Sequence, residues 1–303
     1  MIETSLQALP HGITLSCRAS GAKGRPVLMF LHGFPEAAFV WDGLLEHFAQ
    51  PENGGFRCIA PNLRGFEQSS APAEAAAYRP KHLVQDIAAL IALEGGQLEC
   101  LIAHDWGGAV AWNLAASHPA LMKRLAIINS PHPGTFLREL QQSPAQQAAS
   151  AYMNFLIRPD AEALLAEDDF RRLWEFFTNM GAVDGPHAWL TDAVRGQYRA
   201  IWRQGLTGPC NYYRASPLRP PRPGPPHNDP AAAAVAIPRE MLEIHLPTLV
   251  LWAMDDIALP AALLDGLEDY VPEITLQRIE GATHWIVHEQ PALVAAHLQD
   301  FLC

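Results

Sequence analysis

Continuous apolar runs alternate with helical patterns along much of this chain, and that alternation is its clearest structural signal. The runs at residues 27–31 and 98–103 have the length of buried strands, and residues 57–61 form another short strand pattern. Residues 81–93 repeat apolar side chains at intervals of three and four, as on one face of a helix. Further strands are predicted by the segments 13–19, 123–128, 247–252 and 274–279.

Strands that alternate with helices predict an α/β fold. Its sheet is mostly parallel and carries helices on both faces. The run at residues 27–31 fits this prediction, because it is apolar at every position, as a central parallel strand buried on both faces should be.

The alternation stops after Gly134 and resumes only near residue 247. Residues 136–202 are helical in pattern and rich in aromatic side chains, with no strand signal. The segment 216–230 is crowded with proline, which prevents a regular element there and is also typical of a flexible linker. We therefore predict an α/β core formed by residues 1–134 and 241–303. Residues 135–240 would be an inserted helical cap with a Pro-rich return loop.

The first candidate for chemistry is Asp105, which lies between the predicted strand at 98–103 and an Ala-rich helical pattern. Small residues flank it at two positions, Ala103 before and Gly107 after. This spacing is typical of the nucleophile elbow, a tight turn that lifts the central side chain above the sheet. The alternative is that Asp105 is a helix N-cap, a position that Asp favours in any case.

A second candidate is the loop HGFPE at residues 32–36, directly after the strand 27–31. Gly and Pro around one residue can hold a backbone N–H pointing into a cleft. We predict an oxyanion hole made by the amides of Phe34 and Trp106. An ordinary strand-ending turn is the alternative.

An acid and a histidine follow the last two predicted strands. Asp256 comes after the strand at 247–252, and His284 comes after the strand at 274–279. The order of nucleophile, acid and histidine suits this architecture, in which sites form at the carboxyl ends of the strands. Asp255 competes for the role of the acid, and we prefer Asp256 because it lies farther along the loop. We interpret the spacing of His284 and His288 as coincidental rather than as a metal site.

The composition and the net charge limit the classes of partner that the chain is expected to bind. The 303 residues are 49% hydrophobic and carry a net charge of −11, which argues against nucleic acid and anionic membranes as partners. No apolar run approaches membrane-spanning length, and the first residues lack a signal-peptide pattern. The five cysteines are scattered without CxxC spacing, which favours a cytoplasmic location with reduced thiols. We predict no metal and no cofactor, and the oligomeric state stays open.

Together these residues resemble an α/β-hydrolase with a helical cap, in the branch of epoxide hydrolases and haloalkane dehalogenases. The resemblance extends over essentially the whole chain. It rests on the HGFPE loop, the HDWGG segment at 104–108, Asp256 and the loop from Gly281 to Trp285. It implies that Asp105 attacks a substrate carbon to form an ester, and that His284 with Asp256 activates water to cleave it. The implied substrate is a small apolar epoxide or haloalkane, in a pocket that includes His32, Pro35 and Trp106.

The choice between epoxide and halide depends on the cap. Epoxide hydrolases of this branch donate hydrogen bonds from cap tyrosines, one of them in an Asn-Trp-Tyr-Arg motif. Residues 211–214, NYYR, match that motif and place Tyr213 in the donor position. Tyr152 is the candidate for the second donor, although another alignment puts Phe155 there. A core aromatic residue is the alternative interpretation of Tyr213.

Dehalogenases instead bind halide through indole N–H groups. Trp106 could serve, while Phe34 stands where their second donor is often Asn, and other dehalogenases use a cap tryptophan. The cap offers Trp174, Trp189 and Trp202. Fluoroacetate dehalogenases fit poorly, because their substrate-binding arginines are replaced here by Trp106 and Ala109, and Asn129 replaces their acid.

Two smaller departures from the pattern of this branch are Ala103 for the usual first Gly of the elbow and Asn62 for a common Asp.

From these residues we predict a cofactor-independent epoxide hydrolase. A haloalkane dehalogenase is the alternative, and a non-catalytic ligand-binding relative comes third because a receptor does not need all three groups of the triad.

Overall fold

The computed structural model describes residues 1–222 and 229–303. Its centre is one sheet, which has eight strands within these ranges. In chain order these are β1 Glu3–Ala8, β2 Thr14–Ser20, β3 Val27–Leu31, β4 Arg57–Pro61, β5 Cys100–His104, β6 Leu125–Ile128, β7 Thr248–Ala253 and β8 Ile274–Ile279. Their order across the sheet is β1-β2-β4-β3-β5-β6-β7-β8.

Strands β3 to β8 are parallel, and β2 joins β1 and β4 by antiparallel pairing. The predicted α/β fold with a mostly parallel sheet is therefore confirmed. The apolar pattern of the sequence does not predict strand β1. It lies at the edge of the sheet and is almost wholly exposed, so its sequence, ETSLQA, has no reason to be apolar.

Helices cover both faces of the sheet. Those of the described ranges are α1 Asp42–Ala49, α2 Pro80–Leu93, α3 Trp106–Ser117, α4 Pro133–Gln142, α5 Pro144–Ala149, α6 Tyr152–Leu156, α7 Ala161–Thr178, α8 Asp192–Trp202, α9 Thr207–Ala215, α10 Ile286–Glu289 and α11 Pro291–Leu302.

Successive side chains of β3 point to opposite faces and bury into two separate cores. Leu28 and Phe30 pack with residues of α1 and α11, whereas Met29 and Leu31 pack with residues of α2 and α3. Because both faces are buried, every position of β3 is apolar, which is the pattern that marked it in the sequence.

Helices α4 to α9, which we call the inserted helices, lie between β6 and β7 in the chain. Helix α4 begins at Pro133, two residues before the predicted start of the insertion. Helix α7 is interrupted at residues 167–170, where Asp168, Asp169 and Phe170 have positive φ angles. Residues 223–228 of the predicted Pro-rich loop lie outside the described residues, and the remainder of that loop contains no helix or strand.

Several hydrogen bonds attach the inserted helices to the loops above the sheet, and three of them join a large aromatic side chain to a main-chain carbonyl. The Trp202 indole of α8 donates to the Pro35 carbonyl at 2.7 Å, and the Tyr212 hydroxyl of α9 donates to the Arg64 carbonyl at 2.8 Å. In the opposite direction, the indole N–H of Trp285, which follows β8, donates to the Phe176 carbonyl of α7 at 3.0 Å. These bonds and the aromatic rings around them hold the inserted helices over the carboxyl ends of the strands. A bilayer would require a longer and more apolar helix than any in the described ranges.

Candidate active site

The turn at Asp105 is the sharpest backbone feature of the site. Asp105 joins β5 to α3 with φ 49° and ψ −121°, a conformation that non-glycine residues adopt only where the surroundings enforce it. A Cβ on Gly107 would come within 2.4 Å of the Leu31 carbonyl oxygen, so the turn requires glycine there. The Ser130 hydroxyl donates to the Asp105 carbonyl at 2.6 Å and fixes the turn from the other side.

The loop after β3 approaches this turn closely enough to hold the Asp105 carboxylate. A Cβ on Gly33 would overlap Asp105 Oδ1 at 2.1 Å, and glycine therefore permits the approach. The Phe34 amide donates to Oδ1 at 2.7 Å. The Trp106 amide, the other predicted oxyanion donor, opens α3 beside Asp105. Within the described part of the chain it makes no hydrogen bond to the carboxylate.

His284 and Asp256 meet Asp105 on its open side. His284 Nε2 lies 3.6 Å from Asp105 Oδ2, and His284 Nδ1 lies 2.6 Å from Asp256 Oδ2. The amides of Ala258 and Leu259 donate to the other oxygen of Asp256 at 2.8 and 3.0 Å. The structure thus brings the three predicted side chains into one line, with a hydrogen bond between His284 and Asp256 and the ring of His284 directed at Asp105.

Asp255 and Asp256 have opposite environments although they are adjacent. Asp255 is exposed, and its amide bonds to the Ala282 carbonyl, whereas Asp256 is buried beside the His284 ring. Asp256 is therefore the carboxylate that orients the imidazole.

Asn129 supports Asp256 in a way that sequence reasoning missed. Its amide nitrogen lies 3.3 Å from Asp256 Oδ2, and its amide oxygen accepts the Ala253 N–H at 2.8 Å. Asn129 follows β6 with a φ angle of 38°, which Asn tolerates better than most residues. Its place just past a central strand was the signal that could have marked it.

The charges of Asp105 and His284 shift each other's pKa values. Burial opposes the ionisation of Asp105, but His284 and the Phe34 amide outweigh it and lower the pKa of the carboxyl. Burial likewise opposes the charge on His284, yet the carboxylates of Asp256 and Asp105 raise its pKa well above the usual value. These shifts favour the charged form of His284 beside the ionised Asp105.

Two tyrosines of the inserted helices face this line of residues. Tyr152 of α6 and Tyr213 of α9 share a cavity wall with Asp105 and His284, and their ring centroids are 6.1 Å apart. Burial and the nearby Asp105 charge raise the pKa of both phenols. Both therefore stay neutral and can donate a hydrogen bond. Phe155, the alternative to Tyr152, lines the same cavity but has no hydroxyl to donate.

Two cavities meet at Asp105, Tyr152 and Tyr213. The first has a volume of about 520 Å³ and is bounded by α5, α6 and α7, with Arg172 and Glu175 among its lining residues. The second has a volume of about 250 Å³ and an apolar wall that includes Val110, Phe136, Met153 and Leu218.

Of the three predicted pocket residues, only Trp106 lines a cavity. His32 is wholly buried, with its ring nitrogens 3.0 Å from the Leu63 amide nitrogen and 2.9 Å from the Gly33 carbonyl oxygen. Burial lowers its pKa to about 4, so it is a neutral support of the loop. Pro35 contributes its carbonyl to the bond from Trp202 instead. His32 and Pro35, which we predict to lie in the pocket, therefore line neither of the two cavities at Asp105.

The cap tryptophans that a dehalogenase could use point elsewhere. The indole N–H of Trp174 donates to the Asp169 carbonyl at 2.7 Å, and that of Trp202 is committed to Pro35. Trp189 stacks on the His288 ring at 3.9 Å. None of the three lines either cavity at Asp105. Over residues 1–222 and 229–303, no cluster of three or more His, Cys, Asp or Glu side chains is arranged to hold a metal ion.

Comparison with known proteins agrees with this geometry. A family model described as alpha/beta hydrolase fold matches residues 26–291. An AB hydrolase superfamily protein of Bacillus subtilis (strain 168), YfhM, is 33% identical over 295 residues, which cover 96% of this chain and 95% of the relative.

Two solved structures extend the comparison. An epoxide hydrolase from Bacillus megaterium in complex with an inhibitor superposes with a TM-score of 0.87 at 28% identity, covering 98% of this chain and 99% of the other. A structure from a set of novel epoxide hydrolases in metagenomes from hot environments has a TM-score of 0.84 at 36% identity, covering 100% of this chain and 99% of the other. The chain therefore belongs to the α/β-hydrolase family, and the solved structures that it resembles here are epoxide hydrolases.

Proposed function

We propose that this protein hydrolyses epoxides to diols through an ester on Asp105. The observation that carries the proposal is the pair of phenols on the wall of the cavity that holds Asp105 and His284, the half-buried Tyr152 and the buried Tyr213. An epoxide oxygen leaves as an alkoxide and requires a positioned donor as its charge develops. Two neutral hydroxyl groups opposite a carboxylate nucleophile meet that requirement.

In the first step Asp105 Oδ2 attacks an epoxide carbon, and the bond from that carbon to the epoxide oxygen breaks. Oδ2 is the attacking atom because Oδ1 is already bound to the Phe34 amide. The alkoxide takes the hydroxyl proton of Tyr213 or Tyr152. The tyrosinate that remains is reprotonated by the imidazolium of His284, which becomes neutral.

In the second step neutral His284 takes a proton from water, and the hydroxide attacks Asp105 Cγ. Charge develops on Oδ1, where the amides of Phe34 and Trp106 stabilise it. Collapse of this intermediate breaks the ester bond, and the departing oxygen takes the proton of the newly added hydroxyl. The diol leaves, Asp105 is again a carboxylate and His284 is again an imidazolium, so atoms and charges return to the starting state.

The inserted helices act in this proposal as the cap predicted for residues 135–240. They carry both tyrosines and the wall of the larger cavity. A small apolar epoxide fits the apolar wall of the second cavity, which also reaches Asp105 and both tyrosines, and water is the second substrate. The core of residues 1–134 and 241–303 supplies the nucleophile, the base and its acid.

A turnover screen tests the proposal. Small aryl and alkyl epoxides would be compared with bromoalkanes of matched carbon skeleton, with diol and bromide measured separately and Asp105→Ala as the inactive control. We expect diol from the epoxides. Bromide release without diol would establish a haloalkane dehalogenase instead. Saturable binding of either class without turnover would identify a ligand-binding relative.

A further inference from the structure

A buried cluster beside the proposed base has no part in the mechanism described so far. Its centre is Glu36, the last residue of the HGFPE loop, whose side chain is inaccessible to solvent. Glu36 Oε1 lies 2.7 Å from His288 Nε2 and accepts the Tyr198 hydroxyl at 3.0 Å. Glu36 Oε2 lies 3.2 Å from His104 Nδ1.

The cluster reaches His284 through His104. His104 Nε2 lies 2.9 Å from the carbonyl oxygen of His284, and the centroids of the two imidazole rings are 4.7 Å apart. The contact is to the main chain of His284. The side chain of His284 remains free to bond Asp256 and to face Asp105.

Hydrogen-bond partners determine the protonation of His104. The His284 carbonyl can only accept, so His104 Nε2 must carry a hydrogen. Burial opposes ionisation of Glu36, but hydrogen bonds from His104 and His288 lower its pKa below the usual value, so it too only accepts. His104 Nδ1 must then also carry a hydrogen. His104 is therefore placed to donate from both ring nitrogens, one to the His284 main chain and one to Glu36.

The cluster also joins parts of the chain that are distant in sequence. Tyr198 belongs to α8 of the inserted helices, His288 belongs to α10, and Glu36 lies above β3. Trp189, just before α8, stacks on the His288 ring and packs the cluster from outside. The spacing of His284 and His288, which we had interpreted as coincidental, thus places both histidines around one buried network.

We propose that Glu36 is a positioning residue for His284, and that Tyr198 makes the inserted helices part of the same support. Glu36 orients His104, and the Nε2–H of His104 fixes the main chain from which the His284 imidazole projects. This inference rests on the proposed function, because it assigns His284 to the cleavage of the Asp105 ester. Only that second step uses the imidazole as a base toward water, so only that step should depend strongly on its position.

The decisive comparison is Glu36→Gln against Glu36→Ala. A glutamine can accept from Tyr198 and His288 with its oxygen and donate to His104 Nδ1 with its nitrogen, leaving His104 neutral but still bonded to His284. Alanine has no side-chain group that could bond to Tyr198, His288 or His104. We expect Glu36→Ala to slow ester hydrolysis on the order of 10²-fold, the loss typical of a base displaced by about 1 Å. Glu36→Gln should stay within a few-fold of wild type.

Single-turnover kinetics with an epoxide separates the two steps, and mass spectrometry measures the ester on Asp105. In Glu36→Ala the ester should accumulate while its formation changes little. Equal slowing of both steps, or a Glu36→Gln variant as slow as Glu36→Ala, would overturn the proposal.

Tyr198→Phe tests the contribution of the inserted helices. It removes one donor and keeps the ring, so we expect ester hydrolysis to slow roughly threefold to tenfold while Glu36 retains its other partners. His132→Asn is the matched control. His132 is another buried histidine bonded to main-chain atoms, 2.9 Å from the Leu242 carbonyl, and it lies outside both cavities. It should lower the melting temperature without making the ester accumulate, and accumulation in this control would assign the effect to general destabilisation.

Nitrogen-15 NMR of the histidine rings gives a readout that needs no substrate. We expect both ring nitrogens of His104 to carry hydrogen in the wild type and Nδ1 to lose it in Glu36→Gln. A His104 ring with one bare nitrogen in the wild type would contradict the cluster as described. Absence of any ester on both the wild-type and the His284→Gln protein would instead overturn the proposed function. Failure of the Glu36 proposal can therefore be distinguished from failure of the proposed function.

Discussion

The two sides of the candidate site are built in different ways. On the core side, Asp105, Asp256 and His284 each follow the carboxyl end of a strand, β5, β7 and β8. Backbone amides or buried side chains bond directly to all three. On the inserted side, Tyr152 and Tyr213 belong to short helices and are held mainly by the aromatic rings packed around them.

This difference indicates a division of labour. A sheet edge places side chains accurately because neighbouring strands share a register that packing on both faces enforces. Short helices joined by loops can be replaced without disturbing that edge. We therefore expect the core side to determine that an ester forms and is cleaved, and the inserted side to determine which leaving atom and which substrate shape are accepted. The predictions below test that separation.

The largest effect should come from Asp105→Ala. Without the carboxylate no ester can form, and we expect diol formation to fall by about 10⁴-fold or more, as when a covalent nucleophile is removed. Diol release and the melting temperature would be measured together. The protein should stay folded, because alanine keeps the main chain of the turn.

Oxygen-18 water provides the mechanistic control for Asp105. A single turnover of the wild type should place the label in the Asp105 carboxylate, because water attacks Cγ and not the substrate. Label that appears in the diol of the first turnover, with none in the protein, would rule out the ester.

His284→Gln should separate the two half-reactions. Alkylation uses Asp105 and the tyrosine donors but does not need His284 as a base toward water, so the ester should form and persist, adding the mass of the substrate to the protein. Asp256→Asn should slow the same hydrolysis on the order of 10³-fold to 10⁴-fold, because an amide favours the wrong imidazole tautomer. Asp255→Asn is the matched control and should change little, since Asp255 is exposed. A larger loss for Asp255→Asn would reverse the assignment of the acid.

The core side was also the more predictable from sequence. Apolar runs locate strands, and the residue just past each run then lies at the shared edge, so Asp105 and His284 followed from position alone. Asp255 and Asp256 differ by one residue, and only the turn after β7 buries one and exposes the other. A histidine directly after a strand suggests a pocket residue, but sequence alone does not show that the His32 ring accepts a hydrogen bond from the Leu63 amide and supports the loops beside the site.

The inserted side was less predictable because helical periodicity does not determine how short helices pack. Tyr152 and Phe155 lie three residues apart and both line the larger cavity, so no spacing rule could choose between them. The position of Asn129 just past β6 marks it in the sequence but not its contact with Asp256. Glu36 contacts His288, which is far from it in the chain, and a single sequence does not reveal such a contact.

Tyr213→Phe should show that the inserted side selects the leaving atom. The ring remains and the hydroxyl is lost, so epoxide alkylation should slow on the order of 10²-fold, as on loss of one oxyanion donor. The loss is smaller if Tyr152 shares the donation, and Tyr152→Phe measures that share. Any activity on bromoalkanes should hardly change, because a halide leaves without a strong donor. The parallel assay would use epoxide and bromoalkane of matched skeleton.

Tyr212→Phe is the matched control on the same helix. Its hydroxyl donates to the Arg64 carbonyl and not toward Asp105, so its loss should cost about 1 kcal/mol of stability and leave alkylation intact. Epoxide turnover that survives Tyr213→Phe, together with bromoalkane turnover abolished by Trp106→Phe, would favour the dehalogenase and remove the proposed role of the inserted tyrosines.

The smallest effect concerns pH and links the two sides. Asp105 and Asp256 together raise the pKa of His284 in the free protein, and alkylation removes the Asp105 charge. In the ester the pKa of His284 should therefore lie below its value in the free protein. Ester hydrolysis needs neutral His284, so its rate should rise with pH through this lowered pKa and then level off. Alkylation, which uses the tyrosine protons, should not decline through their loss in this range, because the pKa values of Tyr152 and Tyr213 are raised. Single-turnover ester decay across pH, compared with a titration of His284 by NMR in the free protein, measures the difference. Identical pKa values in the two experiments would mean that the charge of Asp105 does not control the base.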